Sequence, residues 1–172
     1  MKFLVIVSLV VTLTSLVACG ATPIGTAPPP PPQVKVAPTD TPVPATDEEA
    51  IAQLLYAESE AVVQQDIDRL EFIWAEEGVV TDANHTPNNA DDDLMWNGWP
   101  AIRERYVTLV FPSNPPEAEP LDMEITIEGD EAIVISTTHI GVETSPAGDR
   151  WTLTKIEGTW KITSLTYNLE PR

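Results

Sequence analysis

The last third of the chain decides the fold class. From residue 121 to residue 169 it reads LDMEITIEGDEAIVISTTHIGVETSPAGDRWTLTKIEGTWKITSLTYNL. Apolar and polar residues alternate between Leu121 and Ile127, which is the period of a strand with one buried face. Further apolar runs are separated by short stretches rich in turn residues, so the pattern predicts an antiparallel meander. The predicted strands cover residues 121–127, 132–144, 150–156 and 160–169, with turns at 128–130, 145–148 and 157–159.

Helical patterns precede this meander. Thr46 and Glu49 fit the capping box of a first helix that runs to about residue 65. Asp66 is placed to cap a second, shorter helix, which Gly78 is expected to close before a short strand over 79–82. A polar, loop-like stretch covers residues 83–93. Pro100 then opens a third helix. Helices followed by a meander predict an α+β fold with the helices on one face of the sheet. The side chains expected to face inward are Ile51, Leu54, Leu55, Val62, Ile67, Leu70, Ile73, Trp74, Trp99, Ile102, Tyr106, Leu109 and Val110.

The first residues have the pattern of a secretory signal. One lysine is followed by an apolar run over residues 3–17, and residues 16–19 read LVAC. This tetrapeptide resembles the lipobox of bacterial lipoproteins, and the resemblance implies that Cys19 is acylated before residues 1–18 are removed. The alternative is an uncleaved membrane anchor, for which an apolar run of this length is short. We expect an extracytoplasmic protein held to a membrane by lipid on Cys19.

A proline-rich segment separates Cys19 from the rest of the chain. Residues 19–45 contain nine of the 17 prolines, which favours an extended linker over a packed structure. Residues 46–172 are enough chain for one domain. Because Cys19 is the only cysteine, this domain has no disulfide and no thiol nucleophile.

The domain is strongly acidic. The whole chain has a formal net charge of −18. Clustered lysine and arginine, which phosphate binding needs, are missing, so nucleic acid is not an expected partner. The Asp91-Asp92-Asp93 run does not have the spacing of a calcium loop, and no zinc or phosphate-loop motif is present. We therefore expect neither a metal nor a cofactor.

Four short motifs, in this order and spacing, resemble the NTF2-like superfamily, which includes SnoaL-like cyclases, ketosteroid isomerase and scytalone dehydratase. The resemblance implies a cone-shaped α+β barrel over residues 46–172, with three N-terminal helices packed on a curved antiparallel sheet around a hydrophobic cavity. Members of the superfamily range from enzymes to non-catalytic binding modules, so the fold does not select a function. The motifs are DIDRL (66–70), WAEEGVVTD (74–82), NGWPAIR (97–103) and GTWKI (158–162).

Three residues are candidates for acid/base chemistry. Glu58 falls on the apolar stripe of the first helix, where it either faces a cavity or reaches solvent at the edge of the stripe. By resemblance, Asp82 matches the general base of ketosteroid isomerase; the alternative is a strand-end aspartate that satisfies backbone groups. His85 follows in a polar loop, as an acid/base partner or as a solvated histidine.

The resemblance does not extend to the oxyanion side of the isomerase site. Glu58 occupies the register at which the isomerase has a tyrosine, and an ionised carboxylate cannot donate a hydrogen bond to an oxyanion. Asp149 falls near the second oxyanion residue, although the alignment there crosses a turn. Steroid-type isomerisation is therefore disfavoured.

Aromatic residues are the candidates for ligand contacts. Trp74, Trp96, Trp99 and Tyr106 suit a pocket wall or a subunit interface, and core packing is the alternative. The leading hypothesis is an anchored domain that binds a small hydrophobic ligand or a protein partner without catalysis. The alternatives are a cofactor-independent isomerase, cyclase or dehydratase that uses Asp82 with Glu58 or His85, and a structural module that forms homodimers through its sheet.

Overall fold

The first two helices begin at the residues that the capping signals predict. The computed structural model describes residues 43–140 and 143–171. Helix α1 spans Asp47–Gln64, and the backbone N–H of Glu49 donates to Thr46 Oγ1 over 3.1 Å. Helix α2 spans Ile67–Ile73, and Asp66 caps it in the same way. The signal peptide over residues 1–18, Cys19 and nearly all of the predicted linker lie outside the described residues.

The end of α2 differs from the prediction. Strand β1, Trp74–Asp82, starts directly after α2, so Gly78 lies inside a strand and does not close a helix. A Cβ at this position would lie 2.8 Å from Cε3 of Trp74, which is closer than packed atoms approach. The absence of a side chain at Gly78 therefore allows the Trp74 ring to pack over the strand. This need for a glycine arises from a tertiary contact and not from the local sequence.

The segment after β1 contains a strand that the sequence analysis did not predict. Strand β2, Leu94–Asn97, pairs antiparallel with β1. Helix α3, Trp99–Arg105, has Pro100 in its first turn as expected, and continues through a π-helical turn over Tyr106–Val110 and a short 3-10 turn. Leu109 was expected to face inward, and this was wrong: its side chain is 58% exposed. The wider π-helical turn changes the facing of residues relative to an α-helix.

The predicted meander is present, with one turn displaced. Its strands are β3, Ala118–Glu128; β4, Glu131–Ile140; β5, Glu143–Ile156; and β6, Thr159–Tyr167. The turn expected at residues 145–148 was wrong, because these residues belong to β5. Ser136 pairs with Asp149 and Thr138 with Ser145, so three residues of β5 lie opposite one residue of β4. The Pro- and Gly-containing stretch is therefore a bulge and not a reversal of the chain.

The six strands form one sheet in the order β2-β1-β6-β5-β4-β3. Strand β1 runs parallel to β6, whereas the other neighbours are antiparallel. The α+β class is confirmed, but a purely antiparallel sheet was wrong. One edge of β1 pairs with the next strand, β2, and its other edge lies beside β6, the last strand of the chain, which runs in the same direction.

The helices complete the core. Helix α1 packs against β3 and β6, and α3 packs against β1. The clustered buried hydrophobic residues all lie between Ile51 and Leu165. A chain of residues 43–172 thus contains this whole core and is expected to fold independently. Among the described residues, no helix combines the length and the apolar character that crossing a membrane requires.

Candidate functional site

A cavity of about 330 Å³ lies among α1, the end of α3 and the sheet. Its wall combines aliphatic and aromatic side chains with a small number of polar groups, which is the usual make-up of a small-molecule site. The lining residues are Glu58, Ser59, Val62, Arg105, Tyr106, Val110, Ala118, Pro120, Thr138, Asp149, Trp151, Leu165, Tyr167 and Asn168.

Glu58 is buried in the wall of this cavity, with 6% of its surface exposed. The hydroxyl of Tyr106 donates to Glu58 Oε1 over 2.6 Å, and Trp74 Nε1 donates to the hydroxyl oxygen of Tyr106 over 3.1 Å. Burial raises the pKa of Glu58, while the hydrogen bond from Tyr106 and the charge of Arg105 oppose that rise. The Trp74–Tyr106 chain therefore holds a carboxyl group in place inside the cavity.

Asp149 is the second carboxyl group of the cavity, and it is 5% exposed. Burial raises its pKa from 3.8 to about 7, and the negative charges of Glu170 and Glu58 contribute further. No hydrogen-bond donor among the described residues reaches its carboxyl oxygens. Its ionisation state therefore changes near neutral pH.

Arg105 supplies the positive charge of the cavity. Its guanidinium carbon lies 5.1 Å from the ring centroid of Trp96 and 4.9 Å from that of Tyr167, which is cation–π geometry. Its Nε is buried and has no hydrogen-bond partner within the described part of the chain, and the same holds for Thr138 Oγ1. Both atoms belong to residues that line the cavity.

Asp82 does not line the cavity. Its Oδ1 accepts hydrogen bonds from Asn168 Nδ2, at 2.7 Å, and from the backbone N–H of Asn84, at 2.9 Å. Because Asn168 does line the cavity, Asp82 lies behind its wall and positions this residue.

His85 is also outside the cavity wall. Its Nδ1 lies 3.0 Å from the backbone oxygen of Glu170 and 3.5 Å from Glu170 Oε1. These contacts tie the loop after β1 to the end of the chain. The structure therefore does not bring Asp82 and His85 together with Glu58 at one surface.

Of the four aromatic candidates, Tyr106 lines the cavity. Trp74 contacts the cavity wall indirectly, because it donates a hydrogen bond to Tyr106. Trp96 forms a cation–π contact with the guanidinium of Arg105. Trp99 packs against the core.

The sequence did not single out Arg105, Thr138 or Trp151 as site residues, and it placed Asp149 only by resemblance, near the second oxyanion residue of the isomerase. A signal existed for Arg105, which lies one helical turn after the inward-facing Ile102. No comparable local signal marks Thr138 or Trp151 on their long strands.

Within residues 43–140 and 143–171, no three His, Cys, Asp or Glu side chains are grouped as ligands. The cavity instead offers two carboxyl groups, one guanidinium and aromatic faces. Chemically it can bind a small molecule through hydrogen bonds and charge, and its carboxyl groups can exchange protons.

Comparisons with known proteins identify the fold. No family model and no curated protein matches the sequence. Among solved structures, a protein of unknown function with a cystatin-like fold from Nostoc punctiforme matches with a TM-score of 0.55 and 16% identity, over 73% of this chain and 92% of its own. An NTF2-like protein of unknown function from Pseudomonas putida matches with a TM-score of 0.55 and 18% identity, over 68% and 82% of the two chains.

A third similar structure comes from Streptomyces avermitilis, and its name proposes a dehydratase of the NTF2-like family. It matches with a TM-score of 0.51 and 19% identity, over 72% of this chain and 96% of its own. At these identities the likeness shows the fold alone. The chain has the fold of the NTF2-like proteins, as its motifs indicated.

Proposed function

We propose that this NTF2-like domain binds one small, largely apolar molecule in its cavity without transforming it, outside the cytoplasm. The observation that carries the proposal is the cavity itself. A volume of about 330 Å³ is at the lower end of the range for small-molecule sites. Trp151, Leu165 and Val62 supply apolar surface, whereas Glu58, Arg105 and Asp149 contribute polar groups to the wall.

The location is proposed from the N-terminal sequence. Lipid on Cys19 would anchor the protein, and the proline-rich residues 19–45 would hold the acidic domain away from the membrane. Incorporation of radiolabelled palmitate in a bacterial host is expected for the full chain and not for Cys19→Ser. Equal labelling of both, or a Cys19→Ser protein that stays anchored, would overturn this part of the proposal.

The binding function is tested by native mass spectrometry of residues 43–172, purified from bacterial cells. We expect an additional mass from a co-purified molecule. Ala118→Trp fills the cavity from β3 and should remove that mass. Glu119→Trp adds the same bulk at a neighbouring, exposed position that does not line the cavity, so it should retain the ligand.

A small-molecule library measured by thermal shift extends this test. Stabilisation of the wild-type domain and of Glu119→Trp, but not of Ala118→Trp, is expected. Identical behaviour of the two variants would place binding elsewhere, and no stabilisation by any compound would contradict the proposal.

A second candidate is a cofactor-independent acid/base enzyme, favoured by the two carboxyl groups in one cavity. The pair would be Asp149 with Glu58, because Asp82 and His85 lie outside the wall. A carboxyl group with a pKa of about 7 can both accept and donate a proton near neutral pH.

This candidate is tested in heavy water with small ketones. NMR monitors the replacement by deuterium of the hydrogens on the carbon next to the carbonyl group. Exchange by the wild type that is lost in Asp149→Asn would support the enzyme. If no ketone of the set exchanges faster with the protein than in buffer, the enzyme is contradicted and binding remains the proposed function.

A further inference from the structure

The charges of the cavity do not balance. Two carboxyl groups, of Glu58 and Asp149, share it with the single guanidinium of Arg105. A charge inside a protein is costly unless an opposite charge or hydrogen bonds compensate it. One guanidinium can compensate only one of the two carboxyl groups.

Arg105 compensates Glu58. Its charge stabilises the ionised form of Glu58, and Tyr106 adds a hydrogen bond of 2.6 Å. Its guanidinium is held in place between the rings of Trp96 and Tyr167. Glu58 thus has both a cation and a donor from the protein.

Among the described residues, Asp149 has neither. Its side chain is almost fully buried and lines the cavity, and no described side chain or backbone group donates a hydrogen bond to it. The charges that act on it, from Glu170 and Glu58, are both negative. Asp149 is therefore a buried acid in the cavity wall that the described part of the chain does not compensate.

We infer that the cavity takes a cationic ligand, a small molecule with a protonated amine beside Asp149 and an apolar or aromatic body against Trp151 and Leu165. This inference rests on the proposed binding function and specifies the ligand class. The ammonium would supply the opposite charge and the hydrogen-bond donors that Asp149 lacks. The Trp151 ring in the cavity wall would add attraction for a cation.

An anionic ligand fits the same cavity poorly. Beside Arg105 it would share the enclosed space with both Glu58 and Asp149, and like charges repel strongly at low dielectric. The net charge of −18 also draws cations toward the protein and repels anions over long distances.

The test uses three probes that share one ring system: tryptamine, tryptophol and indoleacetate, which carry an amine, a hydroxyl and a carboxylate. Isothermal titration calorimetry with residues 43–172 measures each affinity. Tryptamine is expected to bind at least about 10-fold more tightly than tryptophol, since a hydrogen bond to a charged group is worth this much or more. Indoleacetate is expected to bind most weakly.

The variant Asp149→Asn keeps the shape of the side chain and removes its charge. It should weaken tryptamine binding by about 10- to 100-fold while tryptophol binding stays within a few-fold. The exposed Asp130→Asn, in the turn between β3 and β4, is the matched control and should change neither affinity. The comparison of the three probes on the wild type needs no variant, so it remains decisive if Asp149→Asn does not fold.

The outcomes separate this inference from the proposed function. If tryptophol or indoleacetate binds most tightly, or if Asp149→Asn binds tryptamine as well as the wild type, the cationic ligand is wrong and the binding cavity stands. If none of the three probes binds to the wild type, the cationic ligand is again overturned. The proposed function then falls as well if the native mass spectra show no co-purified molecule.

Discussion

Replacing Asp149 with asparagine should change how stability depends on pH. The folded-state pKa of about 7 lies above the ordinary value of 3.8, so between these values the native protein binds more protons than the unfolded chain. The free energy of unfolding of the wild type therefore falls as pH rises through this window, because the buried carboxyl must then ionise. An asparagine side chain cannot ionise, so the Asp149→Asn variant loses this contribution.

The magnitude follows from the size of the pKa shift. The difference between 3.8 and about 7 is roughly 3 pH units, and each unit corresponds to about 1.4 kcal/mol. Asp149 can thus destabilise the native state by up to about 4 kcal/mol at pH values above 7. Near pH 4 the wild-type carboxyl is protonated in the native state and roughly half protonated in the unfolded chain, so the two proteins should differ there by less than about 1 kcal/mol.

Urea denaturation of residues 43–172, followed by tryptophan fluorescence between about pH 4 and pH 8, measures this effect. Asp149→Asn should gain several kcal/mol over the wild type across the range, most of it between about pH 5 and pH 7. The exposed Asp130→Asn serves as the control for loss of one negative charge. A difference between wild type and Asp149→Asn that stays constant with pH would refute the assignment of Asp149 as a buried, uncompensated acid.

Three further substitutions test the packing around the cavity and the start of the fold. Tyr106→Phe removes the donor to Glu58 and the acceptor for Trp74, and should lower the free energy of unfolding by about 1–3 kcal/mol in urea; an unchanged midpoint would contradict the hydrogen-bond chain. Gly78→Ala places a Cβ 2.8 Å from the Trp74 ring and should cost about 1–3 kcal/mol, with altered fluorescence; a neutral result would show that the ring moves freely. Thr46→Ala should cost about 1 kcal/mol in the same assay, whereas Thr46→Ser should cost far less.

Local signals in the sequence predicted the elements whose causes are local. Thr46 and Asp66 cap their helices because each side-chain oxygen reaches a backbone N–H three residues away. The alternation after Leu121 produced the expected strand because side chains of a strand point to opposite faces in turn. The apolar stripe of α1 left two positions open for Glu58, facing a cavity or reaching solvent, and the structure buries it.

Elements that depend on distant neighbours were predicted wrongly. The residues of β5 near Ser145 resemble a turn in isolation, but pairing with β4 keeps them in the sheet as a bulge. Gly78 resembles a helix terminator, yet its role is to admit the ring of Trp74. In both places a contact with another part of the molecule overrides the preference of the short segment.

The composition of the site was decided by tertiary structure. The sequence by itself determined the α+β class, the acidic character of the domain and the place of Glu58 on the apolar stripe of α1, because residue type and spacing control these locally. Only the parallel pairing of β1 with β6 and the packing of α1 on the sheet brought Asp149 to the cavity and left Asp82 behind its wall. A carboxyl acquires an unusual pKa from burial and from charges far away in sequence, so only the folded chain shows which acid has it.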